Sequence, residues 1–177
     1  MQAHRRRWAG AKGWRTVDIV EMLQSEEKAI VDEALPAVGW LEHYGRERDR
    51  ARERLEVLCR LVEEAVRTRD LEKLLAHARA IAADRYAAGY ALDEVRSAFS
   101  ALEQAIWHHA FGWLPPGEWA WGLSLVGTAL EHAREALAGA FASARGARTG
   151  FVDMTPVFRG AEETARPRPV EELVHPV

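Results

Sequence analysis

Residues 119–145 read WAWGLSLVGTALEHAREALAGAFASAR, a run without proline. Trp119, Leu123, Val126, Leu130, Ala133, Leu137, Ala140 and Ala144 recur at strict 4-3-4-3 spacing, the seam of a helix in a bundle or coiled coil. A second stripe, Gly122, Leu125, Ala129, Ala136 and Gly139, is small and apolar as well. The polar stripe is narrow and holds Ser124, Thr128, Glu131 and Glu135. A helix that is apolar on two sides is buried on two sides. One side serves its own bundle, and the other is expected to meet the same helix of a second subunit.

Upstream, Pro115-Pro116-Gly117 breaks the chain before this helix. The preceding helix starts near Leu92 and packs through Val95, Phe99, Leu102, Ile106, His109 and Trp113. Asp93 and Glu94 fall in its first turn, where they complement the helix dipole. Tyr90 and Val95 occupy the two positions of a hydrophobic staple. Gly89 is the C′ residue expected to end the third helix, because a left-handed conformation costs glycine nothing. That third helix is capped by Asp70 and packs through Leu71, Leu74, Leu75, Ala78, Ile81 and Ala82. A second helix begins within residues 46–54 with Ala51, Leu55, Leu58, Val62 and Ala65 on its seam. Its outer face carries charge pairs at i,i+4, each contributing a few tenths of a kcal/mol at most. The first helix is expected to start at Asp18, with Ile19, Leu23, Ile30 and Ala34 buried, and to end at Pro36 and Gly39. The expected fold is all-α, one bundle of about five helices over residues 16–145.

Two flanking zones differ from this domain. Residues 1–15 form a basic arm in which Arg5, Arg6, Arg7, Lys12 and Arg15 alternate with Trp8 and Trp14. Residues 146–177 hold Gly146, Gly150, Gly160, Pro156, Pro167, Pro169 and Pro176 and read as a tail that admits no long helix. The arm could sit on phosphates, but the net charge of the whole chain is -3, so nucleic-acid binding is not the expected role. Cys59 is the single cysteine, which leaves no internal disulfide and no cysteine-based zinc site. No apolar run approaches the ~20 residues of a membrane span, and the basic N-terminus lacks a secretory apolar core. A cytoplasmic protein is expected. No catalytic motif occurs, so no enzyme activity and no cofactor are expected, and function has to be read from surfaces.

The segment Arg79-Ala80-Ile81-Ala82-Ala83-Asp84-Arg85-Tyr86-Ala87-Ala88-Gly89-Tyr90-Ala91-Leu92-Asp93-Glu94-Val95, followed by Phe99, Leu102 and Ile106-Trp107, resembles the N-terminal sensory domain of the RsbR-type co-antagonists of bacterial stressosomes. The resemblance covers the five helices and is strongest at Arg85, Gly89-Tyr90 and Leu92-Asp93. It implies a globin-like, non-haem fold, a homodimer formed through the last helices, and a role in stress signalling through a protein partner. Ala91 stands where that pattern often has a Ser or Thr cap. The pattern usually continues into an output domain, whereas this chain ends at Val177, so a stand-alone sensor or adaptor is expected.

Several residues carry specific expectations. Leu125, Ala129 and Ala136, with Ala98, Ala101 and Ala105 of the preceding helix, are expected at the dimer interface. Trp107 and Phe111 share the otherwise polar face of Ser100, Glu103 and Gln104; exposed paired aromatics mark a partner surface or a groove for the chain's own ends. Arg85 at the end of an apolar stripe needs a counter-charge, and Asp93 or Glu94 across the turn are the candidates for a structural ion pair. His109 and His108 are expected as core histidines rather than metal or haem ligands, and His77 is expected to face solvent with Lys73 and Asp84. The function expected is a dimeric, non-catalytic signalling module. The alternative is a globin-related protein that holds haem or an apolar small molecule within the bundle.

Overall fold

Six helices fill the described part of the chain, and no strand occurs among the described residues. The computed structural model describes residues 15–148 and the side chains of residues 19–147. In order they are α1 (Arg15–Val38), α2 (Glu42–Arg46), α3 (Arg48–Thr68), α4 (Glu72–Ala87), α5 (Leu92–Trp113) and α6 (Trp119–Arg148). Trp8 and Trp14 of the basic arm, and the tail beyond Arg148, lie outside the described residues.

The all-α bundle is as expected, with one helix more. α1 begins ahead of Asp18 and runs through Pro36 to Val38. The short α2 has no apolar period to announce it. It forms because the chain turns sharply after α1: the Leu41 N–H donates to the Val38 carbonyl at 3.0 Å, and the Gly45 N–H to the Leu41 carbonyl at 2.8 Å. Gly45 then passes so close to Gly39 that a Cβ on it would lie 2.5 Å from the Gly39 carbonyl oxygen. Only glycine fits there.

Between α3 and α4, Arg69 takes a left-handed conformation with φ 60°. Asp70 accepts the Glu72 N–H on Oδ1 at 2.9 Å, satisfying one free donor of the α4 start. At the other end of α4 the Tyr90 N–H donates to the Arg85 carbonyl at 3.0 Å, and the Gly89 N–H to the Tyr86 carbonyl at 3.1 Å. These are the two bonds of a Schellman cap, with Gly89 at φ 86°. The turn sets the angle between α4 and α5 and places Tyr90 inside. Gly89→Ala should cost about 1–2 kcal/mol, read as a lower midpoint in urea with unchanged slope.

α1 packs along α3 and α5. Their shared core contains Ile19, Met22, Leu23, Ile30, Leu55, Leu102 and Ile106, each at most 1 % exposed. α6 closes the bundle with Val126, Leu130, Ala133 and Leu137, all fully buried, as its seam predicts. It is tied to α5 by Arg134 Nη1, which donates to Glu103 Oε2 at 2.7 Å, and to α4 by the edge-on contact of Phe141 with Tyr86.

Candidate functional site

The Schellman turn delivers Tyr90 to the point where four helices meet. The His43 ring of α2 stacks on Tyr90 with centroids 4.1 Å apart, and Tyr44 meets it edge-on at 5.7 Å. From α3, Arg54 Nη1 donates to the Tyr90 hydroxyl oxygen at 2.7 Å. From α4, the Arg85 guanidinium carbon stands 5.3 Å from the Tyr90 ring centroid, within cation–π range. The sequence holds each partner in place. Glu94, in the first turn of α5, accepts the His43 backbone N–H on Oε1 at 2.7 Å, and its Oε2 lies 2.9 Å from His43 Nδ1. Glu47 accepts from Arg54 Nη2 at 2.9 Å.

Beside this junction lies a cavity of about 220 Å³. Leu55, Leu58, Ile81 and Phe99 supply its apolar walls, and Tyr44, Arg54, His77 and Arg85 its polar groups. Burial pushes the Tyr44 phenol up to about 12, against the opposing pull of the Arg85 and Arg54 guanidiniums. Burial, and then the Arg85 charge, hold the His77 imidazole below its ordinary range. His77 is therefore neutral at physiological pH, with one ring nitrogen able to donate and the other to accept. Arg85 Nε is buried and has no hydrogen-bond partner. Such a donor costs about 1–3 kcal/mol, and more on a charged group. The arrangement suits a small molecule with an apolar body and an acceptor for that N–H.

The structure places the sequence-derived candidates unevenly. Arg85 and Asp93 do not pair: Asp93 is exposed on the first turn of α5, and Arg85 instead faces Tyr90 and the cavity. Its other candidate partner, Glu94, is taken by His43. Ala98, Ala101, Ala105 and Ala129, expected at a dimer interface, are buried inside the single chain. They are 4 %, 8 %, 2 % and 2 % exposed within a single chain, because small side chains let the helices of one bundle approach closely. Ala98 lines the cavity. Leu125 and Ala136 are half-buried and Gly139 is exposed, so only part of the second α6 stripe faces outward.

Trp107 and Phe111 are exposed, at 40 % and 47 %, and Phe111 rests edge-on against Trp119 with centroids 5.1 Å apart. His109 lies at the α1–α5 edge rather than in the core, with Nδ1 3.3 Å from Glu26 and Nε2 3.3 Å from Glu33. His108 is exposed and its Nδ1 is 2.7 Å from Glu33. No group of three or more His, Cys, Asp or Glu side chains among the described residues is placed to hold a metal ion. No helix among them is long and apolar enough to cross a membrane.

Sequence reasoning missed Tyr44, Arg54 and His77 as one site. His77 lines the cavity instead of facing solvent. Arg54 did leave a signal: it stands three residues after Ala51 and four before Leu58, on the buried seam of α3. An arginine there must have a purpose-built environment. Fold and site together define an all-α bundle with a cavity lined by cationic and aromatic groups. Comparison of the chain with protein-family models, with curated proteins and with solved structures found no match.

Proposed function

We propose that the helical domain is a non-catalytic signalling module, a sensor or adaptor that acts as a homodimer and regulates a protein partner. The observation that carries this reading is the Tyr90 junction. One ring touches α2 through His43 and Tyr44, α3 through Arg54 and α4 through Arg85, and Tyr90 sits in the turn that leads into α5. A change at the junction is felt by four helices together, the kind of packing shift by which a bundle passes on a state. The resemblance to RsbR-type sensory domains supports the same reading, and a cytoplasmic location is part of the proposal. The size of the cavity supports the non-haem form of this reading. Its volume lies below the ~300 Å³ at which ordinary ligand pockets begin, and a porphyrin is a large ligand.

The outward part of α6, with Leu125, Ala136 and Gly139, is the surface for the second subunit. Ala136→Glu should give folded monomers by light scattering with unchanged helicity; a dimer at the same concentration contradicts this interface. Trp107 and Phe111 are the surface for the partner, since exposed aromatic pairs supply contact energy. The functional test is capture of the tagged chain from its native cells. Wild type should retain a regulatory protein that the folded Trp107→Ser/Phe111→Ser variant loses. Identical capture by both, or by neither, overturns the partner surface.

A further inference from the structure

We infer that the cavity between α3, α4 and α5 binds a small apolar monocarboxylate, whose carboxylate is taken by Arg85 and whose body lies against Leu58, Ile81 and Phe99. The inference deepens the sensory reading and rests on it for its consequence, since the bound acid would be the signal. Three observations converge. The first is size: a cavity of ~150 Å³ accommodates benzene, and the 220 Å³ here leaves room for one ring, or a short alkyl chain, together with a carboxyl group.

The second is the donor set. Arg85 Nε is buried without a partner beside the cavity. An arginine whose Nε–H and one Nη–H face the same space presents the fork that a carboxylate accepts bidentately. Arg54, on the same wall, already has a carboxylate partner: its Nη2 donates to Glu47 and its Nη1 to the Tyr90 hydroxyl, which leaves Arg85 as the cation of the wall without a counter-charge. The third is charge. Asp93 is exposed and Glu94 is bound to His43, so neither nearby carboxylate of α5 neutralises Arg85. Glu53, the one acidic group on the cavity wall, is exposed to solvent. A ligand carboxylate completes the site, and Leu55, Leu58, Ile81 and Phe99 on the wall favour an organic acid over inorganic phosphate.

The test is calorimetric titration of the full chain with phenylacetate and hexanoate, with phenylacetamide and inorganic phosphate as controls. Phenylacetate or hexanoate should bind, with the amide at least tenfold weaker and phosphate not at all. Arg85→Met should lose at least tenfold in affinity while its urea midpoint stays at or above that of wild type, and Arg85→Lys should recover part of the binding. Equal binding of acid and amide, unchanged affinity in Arg85→Met, or no binding of either acid overturns the inference. Each of these outcomes is read without any partner protein. Loss of the proposed signalling role is read separately, by the capture experiment.

Discussion

Leu130→Glu should show no cooperative thermal transition. Leu130 is fully buried on α6 among Val126, Ala133 and Leu137. Truncating a buried leucine costs about 2–5 kcal/mol. A carboxylate in the same place adds the desolvation of an unpaired charge, which is several kcal/mol more. Set against a total stability of ~5–15 kcal/mol, the sum empties the native state. Cys59 supplies the readout. It is 1 % exposed, and burial pushes its thiol up to about 12, so the native chain should resist alkylation at pH 8. Leu130→Glu should label at the rate of urea-unfolded protein. A protected thiol in this variant contradicts the placement of α6 in the core.

Tyr90→Ala should cost about 3–5 kcal/mol, in line with other buried aromatic truncations. The ring is 6 % exposed and stacks with His43. Tyr90→Phe keeps those contacts and removes only the hydroxyl that Arg54 donates to. That loss is about 1.5–3 kcal/mol for a bond to a charged group. Denaturant unfolding of both variants separates the two contributions. Equal loss in both would show that the hydroxyl, not the ring, holds the junction.

What was legible in the sequence was local. The 4-3 seam of α6 and the Gly89 turn depend on residues close along the chain, and both are found as read. The pairing of helices was not legible. Ala98, Ala101, Ala105 and Ala129 form smooth faces, and a smooth face fits a helix of the same bundle as well as one of a second subunit; the first of these is what the structure has. The cavity was hidden for a related reason. Arg54, His77 and Arg85 come from two helices whose relative rotation is set by the turn between them, where Arg69 takes its left-handed conformation. The Arg85–Asp93 pairing failed because proximity across a turn does not fix which carboxylate points inward. α2 was missed because it is held by backbone bonds and by the close approach of Gly39 and Gly45, which leave no apolar period to read.

The proposed signalling role requires the Tyr90 junction to set the state of the exposed face of α5. Backbone hydrogen exchange of wild type and Tyr90→Phe, compared under identical native conditions, tests it directly. Faster exchange is expected in Tyr90→Phe both around residues 85–95 and in residues 103–113, which carry Trp107 and Phe111. Faster exchange confined to the neighbourhood of Arg54 and Tyr90, with residues 103–113 unchanged, would contradict it.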